Sequence, residues 1–307
     1  MIFLMFACVV AVDPATVTIV DARVDLPPPP VLGEQYVTAD MVIEPYSERQ
    51  LCHFGTYEGP EMAIRASTTF QNDEYGHHAF IFTTIADEDT YPDGDVIDCS
   101  ASNTSTMLEM IPLTMPTEGI VGGIARMTLP DGMGIHLVPG QRWVIQSHYV
   151  NATANPVLVR DVVNLDAAYP EDIEVFASAF AHVDFGFEIP PGQVGTGEID
   201  CAWENDIDVL AMAGHMHQWG SAYSVDLETP DGGSERIYNI DDWDPSFRDA
   251  PPIYSYAEGE MSLQAGDVFH TTCTFENDTD EALVFPKEMC TLSGIVYPAD
   301  EPVLCFN

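Results

Sequence analysis

The chain carries very little positive charge. Its 307 residues contain 9 lysines and arginines, among them the single lysine Lys287, against 50 aspartates and glutamates, so the formal net charge is −41. A field of this sign repels phosphate backbones and anionic membrane surfaces, which argues against nucleic-acid binding. The acidic residues are dispersed along the chain, and we interpret them as a solvated surface that maintains solubility rather than as a specific acidic patch.

Short motifs of several enzyme classes are also missing. The sequence has no glycine-rich phosphate loop, no Gly-x-Ser-x-Gly motif and no Cys-x-x-Cys pair. These absences argue against phosphate-cradling loops, the nucleophile elbow of hydrolases, zinc ribbons and thioredoxin-like sites. The chain also has no repeat with a period of about 20–50 residues, which argues against a solenoid or a propeller.

Helical patterns are scarce, whereas strand and turn patterns recur. The chain has 23 prolines and 22 glycines, many of them in Pro-Gly and Pro-Asp-Gly turn sequences. Strand-like apolar segments lie between these turns, at residues 143–150, 207–212, 222–227 and 268–275. The pattern predicts an all-β fold built from sandwiches. The length fits two domains or one large one. We predict two and place their boundary near Tyr169, giving residues 31–169 and 170–307.

The first residues resemble an export signal. Residues 1–12 are almost wholly apolar but too few to span a bilayer, and no basic region precedes them. Residues 5–7 before Cys8 partly match a bacterial lipobox, and the proline-rich stretch at residues 26–30 is typical of a tether. We therefore assign residues 1–30 to a signal-like start and tether, and predict an extracytoplasmic protein (periplasmic, cell-surface or secreted) with a lipid anchor at Cys8. The alternative is a buried N-terminal strand.

Six further cysteines follow Cys8. They are Cys52, Cys99, Cys201, Cys273, Cys290 and Cys305. Six cysteines can pair in many ways, and the residues alone do not choose among them. An even set with one cysteine left over near the start fits an oxidising compartment.

One histidine pair has the spacing of a metal site. On a strand, His215 and His217 would face the same side and could chelate one ion, although two surface histidines would have the same spacing. The cupin motif also contains His-x-His, but no glutamate follows at residues 218–222, which weakens that interpretation. Met289 lies beside Cys290, and its thioether is a soft ligand suited to copper(I).

A second group of histidines lies earlier in the chain. Neighbours on a regular strand point to opposite faces, so His77 and His78 could share an ion only at a bulge, a strand end or a loop. Gly76 favours such an irregularity. Taken alone, these two are more typical of exposed imidazoles, and His148 on its strand is by default a core or surface residue.

The order of these motifs resembles the ascorbate-dependent type II copper monooxygenases, the family of peptidylglycine α-hydroxylating monooxygenase and dopamine β-monooxygenase. That family has a His-His pair, a His-Tyr on a strand, a His-x-His followed by glycine, and Glu-Met-Cys. The present chain has the same series in the same order, at His77-His78, His148-Tyr149, His215-Met216-His217 with Gly220, and Glu288-Met289-Cys290. Nested pairing within each half, which resembles the family's disulfides, would join Cys52 to Cys99, Cys201 to Cys305 and Cys273 to Cys290.

The resemblance implies two tandem jelly-roll-type β-sandwich domains with one copper site each, facing a shared cleft. Carried over residue by residue, it implies that His77, His78 and His148 hold an electron-transfer copper. It implies that the catalytic residues His215, His217 and Met289 hold the copper that binds dioxygen.

The implied function is hydroxylation of a C–H bond of a small organic substrate with dioxygen, two copper ions and ascorbate or an equivalent reductant. The alternatives are a non-catalytic exported copper-binding protein and an adhesive sandwich with incidental histidines. Ala213 and Thr291 depart from the peptide-amidating enzyme, which has an arginine two residues before its His-x-His and an asparagine after Glu-Met-Cys. These departures argue against a peptide substrate.

Overall fold

A computed structural model describes residues 18–100, 109–118 and 120–307. Every regular element among them is a β-strand or a short 3-10 turn, and these residues form no α-helix. The predicted all-β fold is confirmed. No helix in the described part of the chain is long and apolar enough to cross a membrane. The apolar start and Cys8 lie outside the described residues.

Residues 18–176, the first half, form two main sheets and a small third one. The strands are β1 (Val20–Asp21), β2 (Gly33–Val37), β3 (Met41–Ile43), β4 (Ser47–Thr56), β5 (Met62–Phe70), β6 (Gly76–Thr84), β7 (Val96–Asp98), β8 (Met110–Pro112), β9 (Ile124–Thr128), β10 (Met133–Leu137), β11 (Arg142–Asn151), β12 (Val157–Val159), β13 (Val162–Ala168) and β14 (Val175–Phe176). One main sheet has the order β7-β4-β11-β6-β8 and the other β14-β10-β5-β13-β2, with β9 also on β5. The third has the order β1-β12-β3.

Residues 177–307, the second half, repeat the layered arrangement. The strands are β15 (Ser178–Asp184), β16 (Glu188–Ile189), β17 (Val194–Ala202), β18 (Ile207–His215), β19 (Gly220–Glu228), β20 (Ser234–Ile240), β21 (Tyr254–Ser255), β22 (Ser262–Leu263), β23 (Val268–Glu276), β24 (Leu283–Val284), β25 (Cys290–Tyr297) and β26 (Val303–Phe306). One sheet has the order β21-β18-β25-β15-β26, with β22 also on β18, and the other β17-β23-β19-β20. Strands β16 and β24 pair separately. A 3-10 turn lies at Pro245–Arg248 in this half, and another lies at Pro170–Asp172 near the end of the first half.

The burial pattern along a strand shows whether its sheet is covered on one face or on both. Every second residue of β23 is buried from Phe269 to Phe275, because one face of its sheet covers the core and the other faces water. All seven residues of β15 are buried. One face of β15 places Phe180 in the core of the second half, while Ala179 packs into a cluster shared with the first half.

That shared cluster joins the halves through apolar side chains. Ile64 and Leu129 of the first half belong to the same buried cluster as Leu210, Ile295 and Tyr297 of the second. Strand β14 pairs with β10 and so belongs to the first half, and no strand pair among the described residues crosses between the halves. The halves therefore meet over a continuous hydrophobic core rather than through a flexible linker.

The stretch predicted as a tether lies against the first half. β1 pairs in parallel with β12, and the carbonyl oxygens of Pro27 and Pro28 accept hydrogen bonds from the side-chain amides of Gln35 and Asn164.

The turn predictions are confirmed at Gly132, which has a φ of 81°. Such a left-handed conformation favours glycine over residues with a Cβ atom.

Three disulfides join the pairs that the resemblance implied. Cys52 bonds Cys99 within the first half. In the second half, Cys201 bonds Cys305, and Cys273 bonds Cys290. The last bond connects β23 of one sheet to β25 of the other. Three disulfides are typical of proteins that fold in an oxidising environment outside the cytosol.

Candidate metal centres between the two halves

Most of the predicted ligand side chains line a single cavity between the halves. This histidine cavity has a volume of about 620 Å³. The first half contributes His78 and His148, and the second contributes His215, His217 and Met289. His77 is beside this group, because it shares a hydrogen-bond partner with His78. The fold thus brings together side chains from four separate segments of the sequence.

A bulge explains how adjacent histidines reach one point. In the antiparallel pairing of β6 with β11, His148 lies opposite His78, and the register then shifts so that Tyr149 lies opposite Gly76. Gly76 is required there, since a Cβ atom would lie 2.3 Å from the Gln71 side chain. The irregularity that the sequence predicted at Gly76 is present.

An aspartate from the second half lies at the centre of these histidines. Asp249 Oδ2 is 2.9 Å from His77 Nδ1, and Asp249 Oδ1 is 2.9 Å from His78 Nδ1 and 3.3 Å from His148 Nδ1. We call these four residues the first site. The ligand atoms of His77, His148 and Asp249 all lie within 4.8 Å of one another. That spacing would allow them to hold a single ion.

Charge at the first site is net negative when the imidazoles are neutral. The carboxylates of Glu48 and Asp249 share one guanidinium, that of Arg248, at 3.3 and 3.4 Å. Burial alone would raise the pKa of Asp249, but hydrogen bonds with His148, His77 and His78 outweigh it and hold that pKa well below its usual range. An ionised carboxylate among three imidazoles attracts a cation.

His148 faces a carboxylate on each side of its ring. Its Nε2 is 2.7 Å from Glu48 Oε1, and its Nδ1 points to Asp249 Oδ1. The residue is 2% exposed, so water does not separate these groups. A neutral imidazole has one proton and one lone pair. One of the two contacts therefore needs either a second proton or a cation between nitrogen and oxygen.

The second site comprises His215, His217 and Met289. β18 ends at His215, so His217 lies in the turn before β19 rather than further along the same strand. The two rings nevertheless lie close, with centroids 5.1 Å apart and planes at 85°. Burial lowers the pKa of His217 to about 4 and that of His215 well below its usual value. Both imidazoles are therefore neutral at neutral pH, as metal ligands must be.

Two contacts fix the orientation of His217. Its Nδ1 is 3.0 Å from the carbonyl oxygen of Lys287. A carbonyl only accepts, so Nδ1 has the proton and the lone pair belongs to Nε2. The buried carboxylate of Glu288 accepts hydrogen bonds from the backbone N–H groups of His217 and Trp219, each at 2.8 Å. Burial also raises the pKa of Glu288 to about 7.

A second, apolar cavity opens between the halves beside both sites. Its volume is about 520 Å³, and it shares His78, His215, Arg248, Phe285 and Met289 with the histidine cavity. Apolar side chains of both halves line it, including Phe80, Phe82, Met110, Ile111, Val183, Phe185, Leu304 and Phe306.

Polar groups are few in the apolar cavity. Besides the histidines His78 and His215, the uncharged polar side chains among the described lining residues are Thr114, Gln146, Thr291 and Ser293. Arg248 is the only lysine or arginine among them, and Ala213 adds an apolar methyl group. Arg248 already contacts the carboxylates of Glu48 and Asp249. The cavity is therefore suited to an apolar group.

Comparisons with known proteins identify no relative. No family model and no curated protein matches the chain. Among solved structures, the PBSX exported protein XepA is 6% identical, with 88% of each chain covered and a TM-score of 0.24. The VP2 subviral particle of infectious bursal disease virus is 9% identical over 86% of this chain and 71% of that one, with a TM-score of 0.21. A single-substitution variant of oxalate decarboxylase from Bacillus subtilis is 9% identical over 88% and 70%, with a TM-score of 0.12. Similarity at this level carries no inference about the chain.

The donor chemistry of both sites suits transition metals. Imidazole nitrogens with a carboxylate, as in the first site, are ligands for divalent ions such as copper(II) and zinc. Two neutral imidazoles with a thioether, as in the second site, favour copper(I). His53 and His182 are buried elsewhere, while His136 stacks on Phe176 and His270 pairs with Asp200.

Sequence reasoning missed Asp249, Glu48 and the role of Glu288. Asp249 and Glu48 are two of 50 acidic residues, and no spacing marks either of them. Glu288 stands inside the Glu-Met-Cys motif, so its position next to Met289 was a usable signal.

Proposed function

We propose that the protein is a copper-dependent monooxygenase that hydroxylates a C–H bond of a small organic substrate, with dioxygen and a one-electron donor such as ascorbate. The observation that supports this most directly is the pair of unlike ligand sets at one interdomain cavity. The first site, with imidazoles and a carboxylate, faces the same cavity as the second site, which has two imidazoles and a thioether. The order of the sequence motifs supports the same family.

Two copper ions are the proposed cofactors. His77, His78 and His148 would hold one, and His215, His217 and Met289 would hold the other. When bound, copper would supply the one-electron chemistry and the activation of dioxygen that amino-acid side chains lack.

The chain itself orients the ligands. The Lys287 carbonyl and the Glu288 carboxylate fix the ring and backbone of His217. Glu48 accepts a hydrogen bond from His148 Nε2–H, which directs the Nδ1 lone pair toward the centre of the first site. Outer partners of this kind set both tautomer and ring orientation at metal sites.

The apolar cavity is the proposed substrate pocket. It reaches His215 and Met289, so a bound substrate would place a C–H bond beside the second site. Its aromatic and aliphatic walls exclude water and favour a hydrocarbon-rich substrate. Ala213 supplies no cation for a substrate carboxylate, which supports a small apolar substrate over a peptide.

The compartment follows from the same proposal. Copper enzymes with three disulfides fit an extracytoplasmic location, periplasmic, cell-surface or secreted. A lipid anchor at Cys8 is part of this proposal.

Copper stoichiometry and substrate-coupled oxygen consumption test the function. Purified protein is loaded with copper, freed of loose metal and measured by elemental analysis. It is then assayed with ascorbate, labelled dioxygen and a panel of small apolar compounds beside a glycine-extended peptide. We expect two coppers per chain, one in a H215A/H217A variant, and label in a hydroxylated apolar product.

Other outcomes separate the alternatives. Two bound coppers without labelled product from any compound would contradict the enzyme and support a copper-binding protein. Folded protein that binds no copper would contradict both.

A further inference from the structure

Asp249 connects the two halves at the first site. The three imidazoles belong to β6 and β11 of the first half, whereas Asp249 follows the 3-10 turn Pro245–Arg248 of the second. In sequence it is 172 residues from His77. Its side chain is 14% exposed, so the carboxylate has left water for these contacts. Such burial is costly unless the charge is compensated.

The segment that presents Asp249 is held firmly. Asp244 Oδ1 accepts a hydrogen bond from Ser246 N at 2.8 Å, which caps the turn. Just before it, Trp243 is buried and its Nε1–H donates to the carbonyl oxygen of His217 at 3.0 Å. The backbone that positions Asp249 is therefore bound to the turn of the second site. These two hydrogen bonds therefore fix the segment that carries Asp249.

The geometry of His148 leaves room for a cation at this place. With Nε2–H donating to Glu48, a neutral ring directs a lone pair at Asp249 Oδ1 across 3.3 Å. A lone pair and an anionic oxygen repel each other, so the contact needs either a second proton on the ring or a cation between the two atoms. A metal ion bound by both atoms removes the repulsion and preserves the contact with Glu48.

We propose that Asp249 is a fourth ligand of the first site, which makes this a three-histidine, one-carboxylate site shared by both halves. The identity of the metal as copper rests on the proposed function. Because the ligands come from both halves, metal binding at the first site fastens the halves together across the two cavities. A carboxylate is a hard donor and favours copper(II), in contrast to the thioether of the second site.

The experiment isolates the first site. H215A/H217A removes copper binding at the second site, and D249N is added to that background. D242N is the matched control, since Asp242 is an exposed aspartate of the same segment with no contact to either site. Copper(II) alone is the probe. Its affinity is measured by competition with a chelator, its coordination by electron paramagnetic resonance, and its effect on folding by the melting temperature with and without copper.

Loss of a ligand should exceed the roughly 10- to 100-fold cost in affinity of removing an outer partner. We expect D249N to weaken copper(II) binding by about 100-fold or more, to change the copper hyperfine splitting, and to abolish the increase in melting temperature on copper loading. D242N should match the background in all three measurements. Equal affinity and an unchanged spectrum in D249N would overturn the proposal.

D249E distinguishes loss of a ligand from a folding defect, and the H215A/H217A protein tests the proposed function separately. D249E retains the carboxylate, so recovery of affinity with D249E but not D249N supports ligation, even if both variants melt lower without copper. Failure of D249E to exceed D249N counts against it. If H215A/H217A protein binds no copper at all, the proposed copper function fails. If it binds copper regardless of residue 249, only the present inference fails.

Discussion

The two candidate sites differ in where their ligands come from and in how they are charged. All the ligands and orienting contacts of the second site belong to the second half, and its two histidines are half-buried. The first site contains two carboxylate neighbours, and Asp249 crosses from the other half. His77 remains 38% exposed. One site is prebuilt within a single sandwich, whereas the other is completed by contact between sandwiches.

Because of this difference, we expect substitutions at the two sites to have different effects. Changes to the second site should act locally, because Lys287 and Glu288 hold it within one half. Changes to the first site should also alter how the halves associate. The second site borders the apolar cavity through His215 and Met289, whereas the first site reaches it through His78 alone among the described lining residues.

The largest expected effect is that of Met289→Ile. Isoleucine keeps an apolar side chain but removes the thioether, so hydroxylation should fall by about 100-fold or more, beyond the cost of an outer partner. Copper at the three-histidine site should remain. Turnover with ascorbate and elemental analysis check the two halves of this prediction.

Met261→Ile is the matched control for that change, since Met261 packs against the core of the second half and lines neither cavity. It should keep nearly full activity. Full activity in Met289→Ile would mean that the second site is assigned to the wrong residues.

Glu288→Gln should have the next largest effect. The carboxylate accepts from two backbone N–H groups, whereas a glutamine offers one acceptor oxygen and turns an NH₂ group toward the other. Copper affinity at the second site should fall by roughly 10- to 100-fold. The free energy of unfolding should fall by about 1–3 kcal/mol.

Chelator competition and chemical denaturation measure these two effects. Glu281→Gln serves as the control, because Glu281 is an exposed glutamate whose side chain contacts only Lys287. An equal loss of copper at both sites would contradict the local action expected of Glu288.

How much of this was predictable differs between the fold and the sites. Alternation in β23 and the turn glycine Gly132 follow from local chemistry, so the all-β fold could be predicted from the chain. The position of His217 could not be predicted, because nothing in the residue pattern reveals that β18 ends at His215. Asp249 was out of reach as well, since its role depends on the packing of two sandwiches.

A buried histidine outside both sites makes the stability of the fold depend on pH. His182 lies among Phe180, Trp203 and Phe269, and burial lowers its pKa to about 4. The unfolded chain binds a proton near pH 6.5 while the folded chain stays neutral, so stability is lost as the pH falls from about 6.5 to about 4. Near pH 5 this cost is about 2 kcal/mol.

His182→Leu should therefore shift acid unfolding to lower pH, as followed by tryptophan fluorescence. His270→Gln should have the opposite sign. Its hydrogen bond with Asp200 raises the pKa of His270, so that pair stabilises the fold most below pH 6.5 and less as the pH rises through the raised value. Acid unfolding that moves in the same direction for both variants would contradict this account.

The smallest expected effect is that of Glu48→Gln. A glutamine can still accept the hydrogen bond of His148 Nε2–H through its side-chain oxygen, but its negative charge is gone. Copper(II) affinity at the first site should therefore fall by only about tenfold, at the lower end for an outer partner, with the second site unchanged. Glu44→Gln removes the same charge from an exposed residue nearby and should have no effect. Because Glu48 also contacts Arg248, a loss as large as that expected for D249N would mean that Glu48, rather than Asp249, holds the first site together.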